Sequence, residues 1–287
     1  MSWIMRSHTG WQSGWTFGGW IEGRERKRIG AEVLVGLALA AALGLLLTKP
    51  IHQAQTYHEF VDGRAALAIP NVLNVLSNMP FVLIGMAGLL WLRWSAGALP
   101  SALRNAYATM LAGTLLTGIG SAYYHWAPSD MTLVWDRLPM AIAFAGLFAA
   151  VIGERISMRA AKLLLAPLLA FGLGSVVYWQ SFDDLRPYIL AQFFPLLAIP
   201  LMLWWFPAMY SHGHDIIIAL GLYVGAKLLE AADGAVYQWG QIISGHSLKH
   251  LLAAVAAFWL LRMLQRRQPQ QHHDVIAYGS SSVSQYR

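Results

Sequence analysis

The sequence predicts an all-α, polytopic membrane protein built as a bundle of transmembrane helices. Of its 287 residues, 57% are hydrophobic and only 12% are charged, whereas soluble domains carry about 25% charged residues. The mean hydropathy is +0.47. The hydrophobic residues are gathered in runs of about 20 residues, the length of helix that crosses a bilayer. A soluble chain of this size could not bury so much apolar surface, so a membrane protein is expected.

The first apolar run, residues 31–48, consists mostly of Leu, Ala, Val and Gly and is followed by Lys49-Pro50. At a rise of about 1.5 Å per residue it is just long enough to cross a bilayer, so we expect one transmembrane helix here. Residues 1–30 are polar and end in a basic cluster, which predicts a cytoplasmic N-terminal segment. Residues 49–70 are too polar to span and are expected to form a loop on the outer face.

Seven further apolar runs predict a seven-helix core at residues 71–264. Short polar turns or turns rich in Gly and Pro separate them. The runs comprise residues 71–94, 105–124, 132–153, 160–179, 187–206, 215–232 and 246–264. Residues 265–287 are rich in Gln, His and Ser, which predicts a disordered cytoplasmic tail.

The basic residues predict the orientation of these eight crossings. If the N-terminus is cytoplasmic, most of the twenty Lys and Arg fall on the inner side, as is usual for membrane proteins. We therefore expect both termini inside, in the inner membrane if the protein is bacterial. The net charge of +6 is explained by Lys and Arg residues in cytoplasmic loops, so no nucleic acid partner is expected.

Five residues form the candidate site. Ser121 and His125 close one apolar run, Asp136 lies near the start of the next, and His246 and His250 open the last. In the expected topology all five lie at the outer ends of their spans. His246 and His250 are at i and i+4, which places both rings on one helical face. Zinc proteases use the same spacing, but here Ser-Leu-Lys stands between the histidines and supplies no carboxylate.

The chain has no cysteine, so a metal would be held by imidazoles and carboxylates, which suits zinc. His125, His246 and His250 would leave the fourth zinc position open for a water, whose pKa falls towards ~7. We expect Asp136 to orient this water and take its proton. Ser121 and the zinc would stabilise the oxyanion of an amide or ester carbonyl.

Four short motifs follow one another along the chain. They are Asn74-Val-Leu-Ser77-Asn78, Ser121-x-x-x-His125, Asp136 with Leu138-Pro139-Met140, and His246-x-x-x-His250. In these motifs the sequence resembles the alkaline ceramidase family, within the CREST group of membrane hydrolases. The resemblance covers residues 71–264. It implies a seven-helix bundle, zinc on three histidines, contact of the aspartate and serine with the zinc-bound water, and hydrolysis of a sphingolipid amide.

Two features depart from that family. The run at 31–48 adds an eighth crossing. Eukaryotic ceramidases also carry an acidic calcium site before the first core helix, where this chain has Asn71 at the carboxylate position. Only Glu59 and Asp62 are nearby, without a calcium-loop pattern, so calcium binding is doubtful. The absence of cysteine and the short loops indicate a bacterial member, whose natural lipid can differ from ceramide.

Other polar residues are interpreted structurally. Lys227 and Glu230, at i and i+3, are expected to form an ion pair within the bundle. Asp233 is a candidate cavity residue. His212 and His214 flank Gly213 in an inner loop, which we interpret as solvated rather than as a second metal site.

The sequence thus predicts a zinc-dependent intramembrane hydrolase that cleaves the amide bond of a ceramide-like N-acyl lipid. Its expected partners are that lipid and the bilayer, and the oligomeric state is left open. The alternative is a non-catalytic receptor or transporter-like protein in which Asp136 closes a structural metal site.

Overall fold

The computed structural model describes residues 17–95, 97 and 99–270. Within this part of the chain the regular elements are helices, accompanied by two isolated β-bridges. The predicted all-α polytopic bundle is therefore confirmed. In chain order the helices are α1 (Phe17–Leu47), α2 (Val72–Leu76), α3 (Met79–Trp94), α4 (Ser101–Trp126), α5 (Asp130–Arg155), α6 (Met158–Phe182), α7 (Arg186–Trp205), α8 (His214–Ala231), α9 (Asp233–Gln238) and α10 (Gly245–Arg266).

Six segments in the described ranges are long and apolar enough to cross a membrane, so the chain is a multi-pass membrane protein. They are Glu25–Leu47, Val72–Trp94, Asp130–Arg155, Met158–Phe182, Arg186–Trp205 and Gly245–Arg266. Helices α4 and α8, with 26 and 18 residues, coincide with two further predicted runs. Helix α8 carries three charged residues, Asp215, Lys227 and Glu230.

The predicted core runs match the helices closely, with one interruption. The first core run is split at Ser77-Asn78, between α2 and α3. Helix α1 also begins at Phe17, well before the predicted 31, because the polar residues ahead of the apolar run continue the same helix.

The start of the predicted tail is corrected by the structure. Residues 265–270 are ordered, since α10 ends at Arg266 and Tyr210 forms a β-bridge with Pro269. Composition alone misses this because Arg267 finds a buried partner, Glu154, far away in the sequence. The rest of the predicted tail, residues 271–287, lies outside the described residues, as do residues 1–16.

Helices α4 and α5 form the centre of the bundle and pack along their full length. Beside the candidate site, a Cβ added at Gly120 would overlap the carbonyl oxygen of Trp135. That carbonyl receives no intrahelical hydrogen bond, because Pro139, four residues later, has no amide hydrogen. The glycine and the proline thus permit a very close approach of the two helices next to Ser121 and Asp136.

Helix α1 lies at the edge of the bundle, where it packs on α7. Arg186, the first residue of α7, pairs with Asp184 and donates to the carbonyl of Thr48 at 2.7 Å. A cation at the C-terminal end of a helix satisfies free carbonyls and complements the helix dipole. The additional helix is therefore tied to the core at this end.

The segment between α1 and α2 folds over the same end of the bundle. The Gln53 amide donates to Asp183 at 3.0 Å. His58 bridges the Tyr124 hydroxyl at 2.9 Å and the Asp130 carboxylate at 3.1 Å. The predicted outer-face loop is thus a packed cover over the ends of α4, α5 and α6.

Candidate active site

Three histidines meet inside the bundle under this cover. His125 closes α4, whereas His246 and His250 lie in the first turns of α10. All three are buried, with exposed fractions of 0%, 5% and 5%. Nε2 of His125 lies 3.2 Å from Nε2 of His250 and 3.3 Å from Nε2 of His246. The sequence-predicted ligands are therefore brought together, although 121 positions in the sequence separate His125 from His246.

This spacing fits a zinc ion. Zinc–nitrogen bonds of about 2.0–2.1 Å in a tetrahedron separate the nitrogens by about 3.3 Å. A single ring proton on His125 could satisfy only one of its two close neighbours, whereas a central cation would satisfy all three nitrogens. Burying unsatisfied polar atoms against one another is costly, so the donor set favours a cation.

The Ser77 hydroxyl lies within hydrogen-bond distance of the His250 ring. Its oxygen lies 2.8 Å from Nδ1 of His250 and donates to the carbonyl of Asn74 at 3.1 Å. If the Ser77 hydroxyl donates its hydrogen to the Asn74 carbonyl, then Nδ1 of His250 must carry a proton and donate it to the Ser77 oxygen. This leaves Nε2 of His250 with a free lone pair, the form that binds a metal.

The other two histidines are held through their backbones. The His246 amide donates to Asp233 at 2.7 Å, and the Asn71 side chain donates to the His125 carbonyl at 2.9 Å. Nδ1 of His125 is buried without a hydrogen-bond partner in the described part of the chain. Asp233 therefore supports the start of α10, next to a metal-ligand candidate.

Asp136 and Ser121 line the same cavity as His250. Both side chains are buried. The group that could hold a metal contains the three histidines and does not include Asp136. A three-ligand set leaves a coordination position open, as catalytic zinc sites do.

The cavity has a volume of about 310 Å³ and has two chemically different ends. Its polar end is lined by Ser121, Asp136 and His250, together with Tyr57, Asn78, Arg137, Lys227, Glu230 and Lys249. Its apolar end includes Met110, Leu147, Ile216 and Leu260. Along α10 the lining runs from Lys249 to Leu260, about 16 Å at the helical rise. The cavity thus suits a lipid with a polar group at the histidines and an aliphatic chain in the bundle.

Phe60 covers the histidines and is missed by the sequence analysis. The centroid of its ring lies 4.6 Å from that of His125 and 4.9 Å from that of His246. A single phenylalanine in a polar segment gives no indication in the sequence that it packs against distant histidines. Ser77 is missed as well, although it belongs to one of the quoted motifs, because its contact with His250 joins two distant helices.

The predicted ion pair of Lys227 and Glu230 is confirmed and is part of a larger group. Glu230 also pairs with Lys249 and accepts from the Tyr57 hydroxyl at 3.3 Å. Lys249 lies between the two candidate ligand histidines of α10, and its spacing in the sequence gives no sign of this contact with Glu230.

Two remaining polar groups lie away from the histidines. His212 and His214 are exposed and lie near Asp215 at the start of α8. Asp62 is buried, and its two carboxylate oxygens accept from Arg64 at 2.7 and 2.8 Å. The Arg64 guanidinium holds the pKa of Asp62 below its usual range. The negative charge of Asp62 is therefore balanced by the positive charge of Arg64.

Comparison with models of known protein families gives a match. The ceramidase family model matches residues 65–223, more than half of the chain, including Ser121, His125 and Asp136. No curated protein and no solved structure matches the chain. The chain belongs to the ceramidase family, membrane hydrolases that act on the amide bond of ceramide.

Proposed function

We propose that the protein is a zinc-dependent intramembrane amidase that cleaves a ceramide-like N-acyl lipid. The observation that carries this proposal is the convergence of three buried Nε2 atoms next to a cavity that contains Asp136 and Ser121. A closed structural zinc site would need a fourth protein ligand. Asp136 lies outside the three-histidine group, which favours a hydrolase over a receptor with a structural metal.

When bound to the three histidines, zinc would lower the pKa of a water towards ~7 and polarise the amide carbonyl. Asp136 would take the proton of the attacking water and pass it to the amide nitrogen as the carbon–nitrogen bond breaks. The products are then a fatty acid and an amine. Ser121 would donate its hydroxyl hydrogen to the carbonyl oxygen, where negative charge develops. Phe60 would exclude further water from the outer side.

The shape of the cavity supports a lipid substrate. The acyl chain would lie between α4, α5, α8 and α10, along the apolar lining, with the amide at the histidines. The lining along α10 covers about half of the roughly 30 Å hydrocarbon core. We further propose that both termini are cytoplasmic and that the site faces the outer side, since this topology keeps most basic residues inside.

The proposal is tested by the metal content of the detergent-purified protein. About one zinc per chain is expected by elemental analysis, and the H246A/H250A double variant should lose it. Wild type should then release fatty acid from N-acyl sphingoid lipids, whereas Asp136→Ala should keep its zinc and be inactive. A folded wild-type protein that remains free of zinc after zinc is supplied would contradict the mechanism.

A further inference from the structure

Arg137 is a buried cation that lacks an anionic partner. Its exposed fraction is 7%, and none of the ion pairs among the described residues includes it. Nη2 donates to the side-chain oxygen of Gln53, but Nη1 is buried without a hydrogen-bond partner. A guanidinium remains charged in proteins, and buried charges are normally paired. The arrangement therefore leaves room for an anion.

Three aromatic rings hold this guanidinium in place. Its central carbon lies 4.0 Å from the ring centroid of Trp179, 5.0 Å from that of Tyr188 and 5.9 Å from that of Tyr57. The ring faces attract a cation, but they accept no strong hydrogen bond from Nη1. These contacts restrict the side chain while leaving Nη1 unused, and such preorganisation lowers the entropy lost on binding.

The polar end of the cavity carries more cations than carboxylates. Arg137, Lys227 and Lys249 line it on the positive side. Asp136 and Glu230 line it on the negative side, and Glu230 is shared by both lysines. A divalent ion on three neutral histidines would add further positive charge. The electrostatics of this end therefore favour an anionic ligand.

We propose that this end of the cavity recognises an anionic head group on the lipid, a phosphate or sulfate ester bound by Arg137 with Lys227 and Lys249 nearby. The planar guanidinium matches the oxygens of such groups. This inference rests on the proposed amidase and names its substrate class: N-acyl lipids with an anionic head group are preferred over neutral ceramide.

The other source of an anion is the carboxylate of the released fatty acid, and the position of Arg137 argues against it. Arg137 follows Asp136 on α5, and successive helical side chains diverge by about 100°. Its guanidinium reaches Trp179 on α6 and Tyr188 on α7, whereas the product carboxylate forms at the histidines of α4 and α10. A head group, joined to the amide by a short carbon link, can reach Arg137 while the amide remains at the histidines.

The first arm of the test compares two substrates that differ only in the head group, N-octanoyl sphingosine and its 1-phosphate. For the wild type we expect kcat/KM to favour the phosphorylated lipid by about tenfold or more. Arg137→Gln should remove most of this preference. Lys49→Gln, which removes an exposed positive charge outside the cavity lining, should keep it. Measurable but equal rates of hydrolysis for the two lipids, or the same preference in Arg137→Gln, would overturn the proposal.

The second arm measures binding without turnover, using Asp136→Asn. The phosphorylated lipid should raise the thermal unfolding midpoint more than ceramide or octanoic acid, and adding Arg137→Gln should abolish the difference. An Arg137-dependent shift with octanoic acid alone would assign the anion to the product and overturn the proposal. If Arg137→Gln does not fold, Arg137→Lys keeps the charge without the planar fork and should show a weaker preference.

The two arms separate the two proposals. Arg137-dependent binding of the phosphorylated lipid without hydrolysis of either lipid would support the anion site and contradict the amidase. Hydrolysis of ceramide without any effect of Arg137 on head-group selection would support the amidase and contradict the anion site.

Discussion

The hydroxyl oxygen of Ser77 lies 2.8 Å from Nδ1 of His250. This contact joins the break between α2 and α3 to the first turns of α10. The hydroxyl also donates to the Asn74 carbonyl, so its oxygen is free to accept a ring proton from His250. In that arrangement Ser77 selects the His250 tautomer whose Nε2 lone pair is available to a metal, and we propose that Ser77 is a positioning residue.

Replacing Ser77 is expected to weaken metal binding. Ser77→Ala should lower zinc affinity by about 10–100-fold, the usual effect of losing a partner behind a metal ligand. Ser77→Thr keeps the hydroxyl and should restore most of the affinity. Titration against a fluorescent zinc chelator measures this, with Ser101→Ala, at the far end of the bundle, as control. An unchanged affinity in Ser77→Ala would contradict the role assigned to the hydroxyl.

Phe60 is expected to affect turnover more than metal content. Phe60→Ala would open the histidines to water and weaken the electrostatic interactions at the site, lowering kcat on the order of tenfold. Elemental analysis should still find about one zinc per chain. Val61→Ala alters the neighbouring, exposed side chain and is the matched control. Full activity in Phe60→Ala would show that the ring is not needed as a cover.

A methyl group at Gly120 should separate α4 from α5. Because the added Cβ would overlap the Trp135 carbonyl, we expect Gly120→Ala to destabilise the fold by about 1–3 kcal/mol. Activity should fall as well, because Ser121 and Asp136 would move apart. Gly174→Ala is the control, since a Cβ there meets open space within α6. Thermal unfolding and activity are compared for both variants; similar stability of the two would argue against tight packing at Gly120.

The pairing of Asp62 with Arg64 predicts a pH dependence of stability. The pKa of Asp62 is lowered by hydrogen bonds from Arg64, so the folded state gains stability at pH values above the unfolded pKa of about 3.9. This gain is lost as the pH falls through the lower, folded value. Asp62→Asn should therefore lower the unfolding midpoint at pH 7 by a few degrees, and the difference from wild type should shrink below about pH 4.

Thermal unfolding between pH 3 and pH 7 checks this expectation. Glu59→Gln removes a neighbouring, exposed carboxylate of the same segment and should show no such trend. A destabilisation of Asp62→Asn that stays constant at all pH values would indicate that packing, and not the charge of Asp62, stabilises the segment.

Much of the architecture follows from local sequence patterns. The apolar runs locate the helices, because a bilayer requires about 20 apolar residues for each crossing. The spacing of His246 and His250 places both rings on one face of α10, since helical geometry is set by the chain itself. The start of the tail could not be predicted in this way, because the structure of residues 265–270 depends on the contact of Arg267 with Glu154.

Local sequence patterns are enough to predict the helices and the i, i+4 pairs, because each depends on composition or on residues within one helix. The contacts of Phe60 with His125 and of Ser77 with His250 appear only in the folded structure, as does Nη1 of Arg137 without a hydrogen-bond partner in the described part of the chain. These features depend on which helices are neighbours and how they are rotated. Packing among many helices sets those two properties, and no local periodicity in the sequence records them.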